Sequence, residues 1–439
     1  MTLKQLNKET IALIGFGSEH YAMLDYLFSK HITAPITVFE MKSRRIIEKR
    51  YPKLKQWKQI DWQKDTRDLE TLKLFSLIIK SPGAFFSPEL RRALSREFTT
   101  IISPMELFLE YAPSKQTIGV TGTKGKGTTS SLIAHILEKA GKRVWLGGNI
   151  GVAPFSFISK IKKTDWIILE LSSFQLEDMR VSPRIAVLTN FSAEHLEAAD
   201  PNNPNHHPSL SHYWQSKLRI AKQQSKQHVL IANIKLKSKI KKEKLASKLV
   251  FFSSSKLNSM LPGEHNKENI AASECVAKQL KIKDNLIKGA IKSFRGLEYR
   301  LELIGMKKGV NYYNDSFATV PDATITALQS FNQPIVLLAG GADKGSDFSQ
   351  LAKLINKKVS YLVLFKGKGS DRLKLALKKI GFPKQKTAVV GSMKKAMNIA
   401  RQIAQVGDII LLSPACASFG VFKNYKDRGA QFKQEFLRR

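Results

Sequence analysis

Residues 117–129 read TIGVTGTKGKGTT, and residues 130–140 continue as SSLIAHILEKA. A short apolar run feeds a turn holding Gly119, Gly122, Gly125 and Gly127, and the turn opens a helical pattern with hydroxyls at its start. Glycines let backbone N–H groups close around an anion, the helix start adds positive potential, and Lys126 adds a point charge. The common phosphate loop places a hydroxyl directly after its lysine. Here Gly127 takes that place, and Thr128 is the nearest hydroxyl for Mg²⁺. The stretch is read as an ATP-type phosphate loop with Gly122, Thr123, Lys124, Gly125, Lys126, Gly127, Thr128 and Thr129 as its contacts. A glycine-rich turn with no ligand is the bland alternative, and four glycines with a lysine between strand and helix argue against it.

Outward from this loop, apolar runs of strand length alternate with amphipathic stretches. One group falls at 11–16, 36–39, 75–79 and 99–102. A second falls at 117–120, 166–169, 185–188, 229–231 and 249–252, and a third at 310–313, 335–338, 361–365, 388–390 and 408–412. Strands alternating with helices imply parallel α/β sheets, with ligands beyond the carboxyl ends of strands. The expected architecture is therefore α/β with three domains. A Rossmann-like N-terminal domain spans residues 1–112, a central P-loop ATPase domain with a parallel sheet spans 113–297, and a C-terminal Rossmann-like α/β domain spans 298–439. In the first, Gly15-Phe16-Gly17 follows a strand and Glu40 ends the next, but His20 stands where a dinucleotide fold needs its third glycine. That departure argues against NAD.

The chain has 439 residues, with 72 Lys+Arg against 36 Asp+Glu, for a formal net charge of +36. Such a balance permits contact with nucleic acid or anionic surfaces but does not decide a fold. The lysines are dispersed, which favours a solvated basic surface over a dedicated groove. Two cysteines, Cys275 and Cys416, make neither a disulfide framework nor a zinc site. The first ten residues lack the apolar core of a signal peptide, and no apolar run reaches the length of about 18 residues that spans a bilayer. A protein of the cytoplasm is expected.

Two further segments carry chemistry. WIILELSSFQLE at 166–177 ends an apolar strand at Glu170, a carboxylate placed to hold Mg²⁺ beside phosphates. IAVLTNFSAEH at 185–195 ends another in a polar loop with Asn190 and His195. The PNNPNHHP segment at 201–208 reads as a turn-forming insertion, and His206 and His207 as loop histidines.

TGTKGKGTT, GGNIG at 147–151, ELSSFQLE, TNFSAEH, GEHNKENIAA at 263–272 and LLSPACASFGVFKNYKDRG at 411–429 together resemble the Mur ligase family over essentially the whole chain. The resemblance implies an ATP-dependent amide ligase of peptidoglycan precursor synthesis that adds glutamate, D-glutamate by expectation, to UDP-N-acetylmuramoyl-L-alanine through an acyl phosphate. It implies ATP and two Mg²⁺ ions, with Thr128, Glu170, His195 and a carbamylated Lys217 as metal ligands, and Lys126, His195 and Lys217 as the catalytic set. Asn266, Asn269, Arg300 and Asp315 would contact the nucleotide, and Asn149 the nucleotide or the acceptor. Ser172, Ser173 and Gln175 would face the acceptor, and Thr319, Lys344, Ser418 and Tyr425 would hold glutamate. Ser18, Glu19, Glu40, Ser81 and Gly83 are the candidate contacts to the UDP moiety. The partners implied are small molecules, with no nucleic acid and a monomeric enzyme.

The sequence also departs from the family pattern. Its DSKAT motif reads Asp315-Ser316-Phe317-Ala318-Thr319, so Phe317 replaces a lysine, and Tyr299 precedes Arg300 where a histidine is common. An L-glutamate-adding ligase therefore stays open, as does a folate polyglutamylating ligase. A basic nucleic-acid-binding ATPase is the reading from another class.

Overall fold

The computed structural model describes residues 2–65, 68–97, 99–197, 205–343 and 345–438. The chain forms two compact units, Met1–Ser255 with Glu268–Ile287, and Lys256–Lys267 with Lys288–Arg439.

The first unit holds two sheets. One contains β1 (Ile11–Ile14), β2 (Ile36–Phe39), β3 (Ile60–Gln63), β4 (Leu77–Lys80) and β5 (Thr100–Ile102), in the order β3-β2-β1-β4-β5 with all neighbours parallel. The other contains β6 (Thr117–Thr121), β7 (Val144–Gly148), β8 (Trp166–Glu170), β9 (Ile185–Leu188), β10 (Val229–Asn233) and β11 (Lys248–Phe252), in the order β11-β10-β9-β6-β8-β7, again parallel. Central strands such as IALI and IAVL are apolar at every position because helices cover both faces of a parallel sheet. In β1, Ile11 and Leu13 enter one core cluster while Ala12 and Ile14 enter another, as the two-residue period of a strand requires.

The second unit holds β12 (Glu302–Lys307), β13 (Val310–Asn314), β14 (Ile335–Ala339), β15 (Val359–Phe365), β16 (Thr387–Val390) and β17 (Ile409–Leu412), in the order β12-β13-β17-β14-β15-β16. Only the β12–β13 hairpin in this sheet is antiparallel. The α/β class read from the sequence is the class observed. Three strands escaped the reading, β3, β7 and β12, and all are edge strands. An edge strand is covered on fewer sides, so IDWQ and ELIGMK carry polar residues that dilute the apolar signal. Among the described residues, no helix is long and apolar enough to cross a membrane.

Candidate active site

In both sheets of the first unit, the loops that bear candidate residues leave the carboxyl ends of adjacent strands, where open α/β sheets bind ligands. The phosphate loop runs from β6 into the helix Lys126–Lys139, whose cap residue Gly125 has φ +80°. Gly122 has φ +151°, and a Cβ there would stand 1.9 Å from Thr189 Oγ1. The loop is gripped from the segment after β9. Asn190 accepts from the Lys124 N–H at 2.8 Å and donates to the Lys124 carbonyl at 3.0 Å, while Thr189 Oγ1 donates to that carbonyl at 2.7 Å. Thr123 turns inward, accepting from Ser192 N at 3.0 Å, with its hydroxyl 3.3 Å from Tyr213 OH. Asn269 packs beneath, 2.2 Å from where a Gly125 Cβ would be, and accepts from Thr129 Oγ1 at 3.4 Å. Asn190 was read from the sequence as a loop residue; its work is to hold the shape of the neighbouring loop.

Lys126 Nζ donates to the carbonyls of Gly122 and Thr123 at 3.0 and 2.9 Å. Lys217, on the helix Leu210–Lys222, donates to the same Gly122 carbonyl at 2.8 Å and is 1% exposed. Burial, reinforced by Lys126, brings the Lys217 amine down from 10.5 to about 6. Its Nζ also lies 4.5 Å from the centre of the Tyr213 ring. His195 stands in the same field: burial and then Lys217 and Lys126 lower its imidazole below its ordinary value, against the raising effect of Glu194. Its φ of +59° is a conformation that a residue with a Cβ seldom adopts. Glu170 ends β8 directly beside β6, and its Oε1 accepts from Asn149 Nδ2 at 2.7 Å. The structure thus brings Lys126, Glu170, Asn149, His195 and Lys217 around one phosphate loop. The oxygens of Glu170 and Thr128 are hard donors of the kind Mg²⁺ takes.

In the first sheet, Gly15 and Ser81 face each other after β1 and β4, with a Gly15 Cβ position 3.2 Å from Ser81 Cβ. Glu40 accepts from Phe16 N at 2.7 Å, shaping this turn. Ser18 is exposed at the start of the helix Ser18–Ser29, and Gly83 lies in the turn after β4. Glu19 instead points to the second sheet: Gln175 Nε2 donates to it at 2.5 Å, and burial pushes its carboxyl up to about 7. Gln175 and Ser172 form a reciprocal helix cap, Ser172 Oγ accepting from Gln175 N at 3.2 Å.

Sequence reading missed an ion cluster that joins the two sheets. Lys80, 1% exposed, lies 3.4 Å from Glu177 and 3.3 Å from Asp178, and Arg91 binds both acids. Nothing local signals it, since the acids follow the basic residues by almost a hundred positions. It also missed His207, read as a loop histidine and found fully buried, while His206 stacks on Phe85.

In the second unit, both oxygens of Asp315 are engaged, by Leu301 N at 3.2 Å and Ser413 Oγ at 2.7 Å. Burial pushes this carboxyl up to about 7. Arg300 lies over Phe317 at 3.9 Å, and Phe317 meets Tyr425 edge-on at 5.0 Å. Thr319 is half-buried, and Ser418 is buried in the loop after β17. Arg428, wholly buried and unremarked in the sequence, donates to Ser316 Oγ, Ser316 O and Cys416 O at 3.0, 2.9 and 3.2 Å, binding the loop after β13 to the loop after β17. Asn266 Nδ2 donates to Pro262 O at 2.7 Å. Lys344 lies outside the described residues.

The profile of the Mur ligase middle domain matches residues 120–307, and that of the Mur ligase glutamate ligase domain matches 299–416. A UDP-N-acetylmuramoylalanine–D-glutamate ligase of Acetivibrio thermocellus is 33% identical over 470 residues, covering 98% of this chain and 97% of the relative. One from Clostridium botulinum is 34% identical over 451 residues, covering 96% and 95%. Among solved structures, the MurF ligase of Thermotoga maritima in complex with ADP superposes with a TM-score of 0.55 at 16% identity, covering 98% of this chain and 96% of that one. The UDP-N-acetylmuramate-alanine ligase MurC of the same organism gives 0.54 at 17% identity, covering 98% and 99%. Identity at this level along nearly the full length, in a fold those structures share, leads to one conclusion: the chain belongs to the Mur ligase family.

Proposed function

We propose that this chain is an ATP-dependent ligase that joins D-glutamate to UDP-N-acetylmuramoyl-L-alanine in peptidoglycan precursor synthesis, acting as a monomer in the cytoplasm. The observation that carries this reading is the meeting of Lys126 and Lys217 at the Gly122 carbonyl, beside Glu170 and His195, in a chain matched end to end by glutamate ligases. We assign UDP binding to residues 1–112, ATP binding to 113–297 and glutamate binding to 298–439.

A carboxylate is a poor acyl donor, so it is first phosphorylated. The alanyl carboxylate oxygen attacks the γ-phosphorus, an O–P bond forms, and ADP leaves. The glutamate amine then attacks the acyl carbon, phosphate leaves, and the amine gives up a proton. Both steps gather anions, so stabilisation of developing charge is the main requirement. In this assignment the loop N–H groups from Gly122 to Thr129 cradle the phosphates, and Lys126 turns from its two carbonyls to the β- and γ-oxygens. Asn149, Asn266, Asn269, Arg300 and Asp315 serve the nucleotide. Thr128, Glu170 and His195 would hold Mg²⁺, which when bound supplies charge neutralisation between the two anions. A buried amine that titrates near neutrality is a nucleophile for CO₂; Lys217 would form an N–C bond and release a proton, becoming a carbamate able to join those ligands. Ser18, Glu40, Ser81 and Gly83 would face the UDP moiety, and Ser172, Ser173 and Gln175 the acceptor, with Glu19 acting through Gln175. Thr319, Ser418, Tyr425 and Lys344 would receive glutamate.

The test is phosphate release by purified protein supplied with ATP, UDP-N-acetylmuramoyl-L-alanine and D-glutamate. Release is expected only when all three are present, together with an amide product found by mass spectrometry. Equal stimulation by DNA with no amide product would remove the ligase reading.

A further inference from the structure

His207, His212 and Glu177 lie together in the first unit, and the mechanism above uses none of them. They are the one set of three metal-type ligands that cluster among the described residues. Their surroundings argue against a cation. Glu177 Oε2 is taken by Arg91 at 2.8 Å and Lys80 at 3.4 Å, and His212 sits in the first turn of the helix Leu210–Lys222, at its positive end.

The hydrogen-bond pattern has a different sense. His212 Nε2 faces Glu177 Oε1 at 3.6 Å, and His212 Nδ1 lies 3.1 Å from His207 Nδ1. His207 Nε2 lies 2.8 Å from Ser173 Oγ. The Glu177 carboxylate, 3.6 Å away and beyond direct hydrogen-bond reach, favours the His212 tautomer with its hydrogen on Nε2, which leaves Nδ1 to accept. His207 then donates from Nδ1 and accepts the Ser173 hydroxyl hydrogen at Nε2. Both ends of the His207 ring are thereby fixed.

The fixed ring is the floor for another. His207 stacks on Phe174 with centroids 4.5 Å apart and planes 4° from parallel, and Phe174 meets the His195 ring at 5.2 Å and 62°. The His207 backbone N–H also donates to the His195 carbonyl at 2.8 Å, beside the left-handed His195 backbone. Tyr213, whose ring lies 4.5 Å from Lys217 Nζ, packs on His207 at 5.0 Å.

We infer that His207 is a positioning residue for the catalytic centre. Oriented by Glu177 through His212, it holds Phe174 and through it the His195 ring. The consequence for turnover rests on the proposed function, but the geometric statement does not.

The test compares His207→Ala with His207→Phe, which keeps the stacked ring and gives up both hydrogen bonds. His207→Ala should lower kcat by about 10- to 100-fold with the KM for ATP within about twofold, as expected when a reacting geometry loosens without loss of binding. His207→Phe should recover most of that loss. His212→Ala, which frees one end of the His207 ring and keeps the stack, should lose no more than His207→Phe. In parallel, ¹H–¹³C spectra of histidine-labelled protein read the His195 ring resonance, assigned with His195→Asn. It should shift in His207→Ala and return toward the wild-type position in His207→Phe. An unmoved His195 resonance, or equal kcat loss in the Ala and Phe variants, would overturn the inference. So would stoichiometric Zn²⁺ uptake abolished by His212→Ala, since a metal would use the same nitrogens. Absence of ligase turnover in the wild type would count against the proposed function alone, because the spectra still decide the geometry.

Discussion

Lys126 and Lys217 direct their side-chain amines to a single acceptor, the Gly122 carbonyl, at 3.0 and 2.8 Å. Burial of the Lys217 amine, with the repulsion of Lys126 added, lowers it to about 6. An unfolded chain restores the ordinary value of 10.5, so between pH 10.5 and 6 it binds the extra proton and stability declines as pH falls. Lys217→Met should therefore flatten the dependence of the thermal midpoint on pH over that window, measured in CO₂-free buffer. It should also lower turnover by about 100-fold or more. In Lys217→Ala, a short-chain carboxylate should restore part of the activity by standing in for the carbamate. Full activity in either variant would show that Lys217 is only a packed side chain.

The loop that carries Lys126 tolerates no side chain at Gly122. A methyl there meets Thr189 Oγ1 at 1.9 Å and the Asn190 backbone N at 3.1 Å, on a φ of +151°. Gly122→Ala should cost about 2 kcal/mol, the range for strain at a special backbone position, seen as a lower midpoint in urea. It should also weaken ATP binding in titration calorimetry, because relief requires Thr189 to release the Lys124 carbonyl. Gly141→Ala is the control: it shares a positive φ of +73° and has nothing within 4 Å of the added carbon, so its ATP affinity should stay unchanged.

The buried ion cluster between the first two sheets is sensitive to the loss of one partner. Burial raises the Asp178 carboxyl, but Lys80 and Arg91 outweigh it and hold the group below 3.8. The stabilisation this shift provides is present above 3.8 and is lost as pH falls through the lower folded value. Lys80→Met leaves Glu177 and Asp178 with Arg91 alone, and should cost about 3 kcal/mol at neutral pH. Its acid-unfolding midpoint, followed by circular dichroism, should move to higher pH than in the wild type. Unchanged acid unfolding would show that Arg91 suffices for both acids.

What the sequence disclosed and what it hid divide along one line, the distance in the chain between partners. The phosphate loop was readable because β6, the glycines and Lys126 are consecutive, and Glu170 because it ends an apolar run. Lys217 was placed through resemblance, and its burial against Gly122, 95 positions earlier, had no local sign. Lys80 and Arg91 read as two more cations in a basic chain until their acids appeared across the sheets. Glu19 read as a ligand contact, while its actual partner Gln175 lies 156 positions away. Arg428 hid in a run of charged residues although it is completely buried. His207 was masked by composition: a Pro- and Asn-rich segment looks like solvent-exposed turn, and the burial of that one ring is a tertiary fact.

The exchange of lysine for Phe317 bears on selectivity, and the structure suggests which ligand feels it. Phe317 is 41% exposed and serves as a platform for Arg300 at 3.9 Å, while its edge contact with Tyr425 fixes its plane. On the proposed assignment of Arg300 to the nucleotide, the ring would orient the arginine that contacts it. An exposed cation–π pair is worth about 0.5–1 kcal/mol, or roughly two- to fivefold in binding. Phe317→Ala should raise the KM for ATP by about that factor, leave the KM for D-glutamate unchanged, and keep the preference for D- over L-glutamate at its wild-type value, read from initial rates of phosphate release with each enantiomer. A fall in the enantiomer ratio with ATP unaffected would place Phe317 against the amino acid, and would make the missing lysine a determinant of glutamate recognition.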